Sequence, residues 1–321
     1  MTAPSVAVVL IGRNEGDRLI AALAALPNDV SRAVYVDSGS SDGSIDAARR
    51  ANVDVVELDL TRPFTAARAR NEGVAHLLES GERPDFLQFI DGDCALQPNW
   101  VYDALAAMAA DPKCAVVCGR RRERFPDASI YNWLVDREWN TPIGPTKACG
   151  GDALIRLTAF EEVGGFPADM IAGEEPEMCV RMRQSGWNIT RIDAEMTLHD
   201  AAITRFSQWW NRARRAGHAY AEGAFRHGAP PERHKIAEMR RALMWGIGIP
   251  FIIILGALVV TPWALLGVLI WPLQVIRQIL KGRPVAEAIF QTLGKFPETQ
   301  GVIDFHLKRL RGGPSELIEY K

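Results

Sequence analysis

The chain has 321 residues, of which 48% are hydrophobic and 24% charged, and its formal net charge is −2. This length leaves room for a catalytic domain of more than about 200 residues and an appendage, while the balanced charge excludes a protein that binds nucleic acid through a broad basic surface. The five cysteines include no Cys-x-x-Cys pair, which argues against a zinc site, and their odd number favours reduced thiols in the cytosol.

The N-terminal part of the chain alternates apolar runs with segments of helical spacing. Three apolar runs predict buried strands: Val6–Ile11, Ala33–Val36 and Val53–Leu58. The segments between them predict helices, the second from Ser44 to Ala51. This β-α-β-α-β order predicts an α/β fold with a doubly wound, mostly parallel sheet. Met1–Ser5 has no basic residue and the first run is too short for a signal core, so we expect no secretory signal.

The most informative stretch is Phe86–Asp93. Its large apolar side chains predict a buried strand, which ends in Asp91-Gly92-Asp93. Ligands of such sheets bind at the carboxyl ends of the strands, where both acids would lie. Paired carboxylates suit Mg²⁺ or Mn²⁺, which takes its other ligands from water and phosphates. Because Asp-Gly-Asp is also common in ordinary turns, the motif alone leaves both interpretations open.

The following segments supply further elements and a second acidic cluster. Helices are predicted over Phe64–Leu78, Trp100–Ala110, Thr158–Val163 and Phe206–Gly217, a strand over Ala115–Gly119, and irregular structure over residues 125–148. Gly173–Glu177 begins a helix that runs to Gln184. Acids are favourable at a helix N-terminus, so this cluster also has a purely structural interpretation. The four arginines of residues 120–124 are typical of a solvated edge, with an anionic acceptor or lipid headgroups as the alternative.

Residues 242–280 form a long hydrophobic segment in which Arg277 is the one ionisable residue. A single straight helix of this length would be nearly twice as long as the hydrocarbon core of a bilayer is thick. Thr261-Pro262 lies at the midpoint, so we predict a helical hairpin, Ala242–Val260 and Trp263–Leu280. Basic residues on both flanks place both ends in the cytosol, at the inner (cytoplasmic) membrane. The alternative is a buried helix pair in a soluble protein.

Residues 284–310 continue with helical spacing and amphipathic character. They would lie on the membrane surface or pack on the catalytic domain. The predicted organisation is therefore a catalytic domain over 1–225, a linker over 226–241, the membrane hairpin over 242–280 and an amphipathic C-terminal segment over 281–321.

Six motifs occur in a fixed order along roughly the first 225 residues. They are Asn14-Glu15 after the first strand, Asp37–Ser44 (Asp-x-Gly-Ser-x-Asp-Gly-Ser), Ala69–Gly73 (Ala-Arg-Asn-x-Gly), Asp91-x-Asp93, Gly150-Gly151 with Gly164-Gly165-Phe166, and Gly173–Met178. In this order they resemble the family 2 glycosyltransferases, inverting enzymes of the GT-A fold. The resemblance implies that a sugar is transferred from a nucleotide-diphosphate sugar to an acceptor hydroxyl.

The resemblance also implies roles for individual residues in binding the donor. Asp37 and the Asn14-Glu15 loop would hold the base or ribose, together with Ser38 and Asp42 of the second motif. Arg70 would lie near the diphosphate and Asp91 by the ribose. Asp93 would bind Mg²⁺ or Mn²⁺, with Asp91 as a second metal candidate and His199 as a further one.

The catalytic base implied by the resemblance is Glu175. It stands where the family most often has aspartate, so Glu174 remains the alternative and Asp152 is the next carboxylate to consider. A carboxylate is needed because the acceptor hydroxyl must lose a proton during the attack. With one base and no identifiable nucleophile for a covalent intermediate, direct displacement with inversion is the simplest course.

The predicted function is thus a membrane-associated glycosyltransferase that acts on a lipid-linked or saccharide acceptor, in glycolipid or cell-surface polysaccharide synthesis. Residues 208–212 do not match the Gln-x-x-Arg-Trp motif of processive members, which favours transfer of one sugar. Two alternatives remain. A sugar nucleotidyltransferase would need a glycine- and arginine-rich loop after strand one, of which Gly12–Glu15 is a poor version. A degenerate transferase could serve as a membrane scaffold. The sequence predicts no oligomeric state.

Overall fold

The structure is a computed structural model that describes residues 4–81 and 83–312. The chain divides into two compact units, Met1–Ala202 and Ile203–Lys321. The division predicted from the sequence, with a catalytic domain ending at residue 225, stays a prediction. Residues 313–321 of the predicted C-terminal segment lie outside the described residues.

The first unit is an α/β structure. Its strands are β1 (Val6–Gly12), β2 (Arg32–Asp37), β3 (Asp54–Glu57), β4 (Phe86–Asp91), β5 (Cys94–Leu96), β6 (Cys114–Glu123), β7 (Gly144–Pro145), β8 (Ala153–Arg156) and β9 (Asn188–His199). Its helices are α1 (Asp17–Ala24), α2 (Ser44–Arg50), α3 (Ala66–Glu79), α4 (Trp100–Ala110), α5 (Ile130–Trp139), α6 (Leu157–Glu162) and α7 (Glu174–Gln184). The strands and helices predicted for the first 60 or so residues are confirmed, as are the helices begun near residues 64 and 100.

The strands of the described chain form one mixed sheet in the order β3-β2-β1-β4-β8-β6-β9-β5, with β7 paired to β9. The first four neighbours are parallel, and β8 runs antiparallel to both β4 and β6. In this register Gly12 lies opposite Asp37, and Ile11 lies opposite Asp91. Both carboxylates are therefore at the carboxyl edge of the parallel strands, on either side of β1, as the sequence predicted.

Close helix packing brings α3 onto this part of the sheet. A Cβ at Gly73 would lie 2.6 Å from a methyl of Val9 and 2.9 Å from a methyl of Val36. Any larger residue would have to push the helix away from the sheet. The glycine of the Ala-Arg-Asn-x-Gly motif thus sets the depth at which α3 sits, and with it the position of the arginine and asparagine before it.

One expectation about the first unit is wrong. Residues 125–148 were expected to be irregular, but they contain the ten-residue helix α5. The side chain of Ser129 accepts a hydrogen bond from the backbone N–H of Asn132 and caps its first turn. Only Asn132 and Val135 of this helix are buried, so it has no apolar stripe from which the helical period could be recognised.

The regular elements of the second unit are all helical over its described residues. It contains α8 (Phe206–His227), α9 (Ile236–Leu243), a π-helical turn (Met244–Gly248), α10 (Ile249–Val259), a 3₁₀ segment (Pro262–Leu269), α11 (Ile270–Leu280), α12 (Val285–Leu293) and α13 (Lys295–Leu310). The predicted helical character of residues 284–310 is confirmed.

Two continuous stretches of this unit are long and apolar enough to cross a membrane, Ile236–Val259 and Pro262–Leu280. The break between them falls at Thr261, as predicted, and the first stretch begins six residues before the predicted Ala242. The two lie side by side, because a Cβ at Gly267 would lie 2.8 Å from the Ile253 side chain. Their large apolar side chains are mostly exposed, which confirms an apolar hairpin with an unburied surface.

Candidate active site

The loops after β1 and β2 are joined by hydrogen bonds from the first two motifs. Asn14 has a φ of 54°, and its backbone N–H donates to the hydroxyl of Ser40 at 2.8 Å. In return, its side-chain oxygen accepts the backbone N–H of Ser41 at 2.8 Å. Asparagine tolerates this left-handed conformation better than most residues, so it can turn the chain and bind the neighbouring loop at once.

Asp37 organises the second of these loops. Its carboxylate is buried and accepts hydrogen bonds from the Tyr35 hydroxyl, the Ser40 hydroxyl, and the backbone N–H groups of Gly39 and Ser40. A carboxylate has about four acceptor positions, and all are used here. Contact between Asp37 and a nucleotide stays a prediction, and it would require one of these donors to move.

The other candidates in these loops differ in their exposure. Asp42 is exposed and accepts the backbone N–H of Ser44 at the start of α2. Glu15 pairs with Arg18 one helical turn later, at 2.9 Å. Ser38 is buried, and its backbone N–H donates to the carbonyl of Gly12. The structure therefore places Asp42 in a local contact of its loop, whereas the side chain of Glu15 also lies beside Gly92 of the Asp-Gly-Asp motif, because a Cβ at Gly92 would be 3.1 Å from the Cγ of Glu15.

Arg70 is the central charge of the site. It is buried, and its two terminal nitrogens bind Asp91 at 2.7 Å and Glu174 at 2.8 Å. The three residues come from α3, the end of β4 and the start of α7. One guanidinium, which presents its donors in a fixed planar fork, thus joins the Asp-Gly-Asp motif to the acidic motif that lies more than 80 residues further along the chain.

The glycine motifs make room for this arginine. A Cβ at Gly151 would lie 2.4 Å from the nearer terminal nitrogen of Arg70, so no side chain fits there. The Arg70 guanidinium also lies over the ring of Phe166, at 5.4 Å. Asn71 exchanges two hydrogen bonds with the backbone of Phe166 and so fixes the Gly-Gly-Phe turn against α3. These motifs form one packed unit around the guanidinium.

Asp93 and His199 form a second pair. They lie at adjacent ends of β5 and β9, which pair antiparallel with Cys94 opposite His199. The Nε2 of His199 is 3.2 Å from the Asp93 carboxylate, and both residues are buried. Burial lowers the pKa of His199 to about 4, with a contribution from the nearby Arg121. The imidazole is therefore neutral near pH 7, the form in which histidine binds metals.

The donor set around this pair fits a divalent cation. Ligand atoms of Asp93, Cys94 and His199 lie within 4.8 Å of one another, and so do those of Asp91, Cys94 and Asp152. The Nδ1 of His199 is buried without a hydrogen-bond partner among the described residues. Burial holds the pKa of the Cys94 thiol well above its usual range, so it stays protonated. Carboxylate and imidazole are suitable ligands for Mn²⁺, whereas a protonated thiol is not.

Next to this pair lies an ion pair that the sequence did not reveal. Arg121 binds the fully buried Asp152 at 2.9 Å and lies over the ring of Trp139 at 5.4 Å. Thr197 donates its hydroxyl to the same carboxylate at 2.8 Å. A solvated edge was the usual interpretation of this arginine run. It fails for Arg121 because the pairing of β6 and β9 shifts register on either side of Arg120, which breaks the alternation along the strand.

The two adjacent glutamates have different surroundings. Glu174 is held by Arg70, whereas the Oε1 of Glu175 accepts the backbone N–H of Cys149 at 2.7 Å and the thiol of Cys179 at 2.9 Å. Burial raises the pKa of Glu175 above its usual value. The Oε2 of Glu175 is buried and has no hydrogen-bond partner within the part of the chain that the structure describes. One glutamate is thus a paired anion, and the other is a carboxylate with raised basicity and one oxygen available.

Part of the chain matches a known protein family and individual relatives. Residues 7–160 match the family model described as Glycosyl transferase family 2. The O-antigen chain rhamnosyltransferase RfbN of Salmonella typhimurium is 27% identical over 186 residues, which cover 53% of this chain and 57% of that protein. The succinoglycan biosynthesis protein ExoA of Rhizobium meliloti is 27% identical over 209 residues, or 60% of this chain and 62% of that protein. This chain spans little more than half the length of the O-antigen relative.

A solved structure extends the likeness to the fold. The mannosyltransferase PcManGT from Pyrobaculum calidifontis, in complex with GDP-Man and Mn²⁺, superposes with a TM-score of 0.58 at 21% identity. The match covers 97% of this chain and 88% of that one. The GT-A-type fold expected from the six motifs is confirmed.

The buried position of Arg70 leads to a prediction about stability. Arg70→Met would remove the positive charge that Arg70 supplies to Asp91 and Glu174, so we expect the free energy of unfolding to fall by about 3–5 kcal/mol. Urea unfolding of the full chain in detergent, followed by tryptophan fluorescence, would measure it. Arg32→Met is the control, because its pair with Asp54 is more exposed and should contribute less than about 1 kcal/mol. Equal losses for the two variants would contradict the central role of Arg70.

Proposed function

We propose that this chain, whose residues 7–160 match the model of Glycosyl transferase family 2, transfers one sugar from a nucleotide-diphosphate sugar to a hydroxyl of a lipid-linked or saccharide acceptor, with inversion. The observation that carries the proposal is the junction of two separate acidic motifs at one guanidinium. Arg70 binds both Asp91 and Glu174. Asp93, which contacts His199, lies two residues after Asp91, and Glu175 directly follows Glu174. Groups for a diphosphate and a separate base therefore converge on one sheet edge.

The donor would lie along the carboxyl edge of β2, β1 and β4. We assign the loop of Asn14, Glu15, Asp37, Ser38 and Asp42 to the base and ribose of the nucleotide, and Asp91 to the ribose. Arg70 would lie near the diphosphate, and its guanidinium is held in place by Asp91 and Glu174 before the donor binds. The complex of PcManGT with GDP-Man and Mn²⁺ supports a donor of this class and a divalent cation.

Asp93 and His199 are the residues that we assign to the metal, with Asp91 as a further carboxylate beside them. Carboxylate and imidazole together suit Mn²⁺, and carboxylates suit Mg²⁺. When bound, the cation would offset the negative charge that builds on the leaving diphosphate.

Glu175 is the residue that we assign to the acceptor. Its free Oε2 would take the proton of the acceptor hydroxyl as that hydroxyl attacks the sugar. Burial raises its pKa, which brings its basicity closer to that required near neutral pH. Activity should therefore fall as the pH falls through this pKa, because the protonated carboxyl cannot accept a proton. A direct attack assisted by one base inverts the anomeric centre.

The apolar hairpin would keep the enzyme at the membrane that carries its acceptor. We propose that Ile236–Val259 and Pro262–Leu280 anchor it to the inner membrane, with the catalytic unit on the cytosolic side. Arg240 and Arg241 lie near the start of the first stretch, and Lys281 and Arg283 follow the second, so basic residues at both ends of the hairpin favour that orientation. The similarity to proteins named for O-antigen and succinoglycan synthesis supports an acceptor in a cell-surface polysaccharide or glycolipid.

The metal assignment is tested with Asp93→Asn. The amide keeps the size of the side chain but removes the charge, so we expect the affinity for GDP or UDP in the presence of Mn²⁺ to fall about 10- to 100-fold in titration calorimetry. Asp193→Asn is the matched control, because Asp193 is an exposed partner of Arg120 on the edge of the sheet. Unchanged affinity of the Asp93 variant, with Mn²⁺ present, would reject the assignment.

The base assignment is tested with Glu175→Gln. The amide oxygen can still accept the hydrogen bonds from Cys149 and Cys179, but the carboxylate is lost, so turnover should fall at least about 10²-fold while donor binding is retained. Release of nucleoside diphosphate from a panel of UDP- and GDP-sugars measures turnover. Glu174→Gln serves for comparison. If Glu174→Gln abolishes turnover and Glu175→Gln does not, the base is Glu174; if neither matters, Asp152 is the next candidate.

The membrane assignment is tested with lysine at the middle of each apolar stretch. A lysine at the centre of a membrane helix costs roughly 2.5–3.5 kcal/mol, so Ile252→Lys combined with Leu273→Lys should lower the share of protein that stays in the membrane pellet after salt and alkaline washes. Leu60→Lys is the control, because Leu60 is similarly exposed but belongs to the first unit. A native chain that is wholly soluble without detergent would rule out the anchor.

A further inference from the structure

Two donors converge on one oxygen of Glu175. The backbone N–H of Cys149 donates to Oε1 at 2.7 Å, and the thiol of Cys179 donates to the same atom at 2.9 Å. Oε2 is equally buried but has no hydrogen-bond partner among the described residues. Both of these hydrogen bonds reach Oε1, so the two oxygens are not equivalent, and the backbone N–H of Gly150 also faces the carboxylate.

The thiol of Cys179 is a fixed donor. Glu175 and Cys179 are four residues apart on α7, the spacing at which side chains of a helix meet on one face. Burial, with the charge of Glu175, holds the pKa of this thiol well above its usual range, so it keeps its proton. A protonated thiol donates a weak hydrogen bond, which orients the carboxylate without strongly reducing its basicity.

We propose that Cys179 is a positioning residue for the reaction: it fixes Oε1 of Glu175 and thereby leaves Oε2 as the atom that accepts the proton of the acceptor hydroxyl. This inference rests on the proposed function, in which Glu175 is the base. Cys179 does not itself touch the substrate and acts only through the carboxylate.

The groups that face Glu175 decide the sign of the expected pH effect. On α7 these are Glu174 and Cys179, with Arg183 beside the thiol, and from the segment before β8 they are the backbone N–H groups of Cys149 and Gly150. Cys118 of β6 faces the thiol of Cys149. Burial is the largest influence and raises the pKa of Glu175, whereas the hydrogen bonds from Cys179 and Cys149 lower it. Removal of the thiol should therefore raise this pKa further.

The test compares Cys179→Ala, Cys179→Ser and Cys114→Ala in the full-length enzyme in detergent. With a UDP- or GDP-sugar that the enzyme turns over, we expect Cys179→Ala to lower kcat about tenfold, the equivalent of one ordinary hydrogen bond, with little change in KM for the donor. The acidic limb of its pH profile should move to higher pH. Cys179→Ser keeps a donor and should restore kcat to within about threefold of the native enzyme.

Cys114→Ala is the matched control, because it removes a buried thiol of β6 that donates to the carbonyl of Val116. It should leave kcat and the pH profile unchanged. If Cys179→Ala fails to fold, Cys179→Val replaces it, since valine fills the space without a donor. A native pH profile and kcat in the folded donor-free variant would overturn the proposal.

An infrared titration can follow the carboxyl band of Glu175, which is assigned by its loss in Glu175→Gln. It needs no substrate, and it separates the positioning role of Cys179 from the assignment of Glu175 as the base. We expect the pKa of this carboxyl to rise in Cys179→Ala and not in Cys179→Ser; an unchanged value in both would overturn the role of Cys179. A raised pKa in Cys179→Ala, combined with full turnover in Glu175→Gln, would instead show that the hydrogen bond exists but that Glu175 is not the base.

Discussion

The first unit depends on one buried positive charge. Arg70 lies on a helix packed tightly against the sheet, and its guanidinium faces carboxylates from the end of β4 and the start of α7. A buried guanidinium needs nearby counter-charges to offset the cost of its desolvation. The need to match it ties three distant parts of the chain to one point. It also explains why Gly151, which would collide with the guanidinium if it had a side chain, stands where it does.

Around this charge, carboxylates that look alike in the sequence acquire different properties. Glu174 is neutralised by Arg70, whereas Glu175, the next residue, is buried against two cysteines and has a raised pKa. Asp93 faces a neutral imidazole and Asp152 faces Arg121. Such differences in environment are what allow one site to contain both groups that bind a cation and a group that accepts a proton.

Much of the architecture was readable from local patterns. The apolar runs Val6–Ile11 and Ala33–Val36 predicted their strands because both faces of a central parallel strand are buried. The break at Thr261 was predicted because a single helix over residues 242–280 would be nearly twice as long as the hydrocarbon core is thick, and Thr261-Pro262 lies at its midpoint. Helix α5 was not predicted, since its stability comes from a serine cap and two buried residues rather than from an apolar face.

The sequence by itself determined the order of the strands and motifs, the family resemblance and the apolar hairpin, because these depend on residue type and spacing along the chain. Tertiary structure alone decided which side chains meet. The inward direction of Arg121 follows from an irregular pairing of two strands, and the separation of Glu174 from Glu175 follows from which neighbours pack on either face of α7. Contacts between residues far apart in the chain are set by packing, which no local pattern specifies.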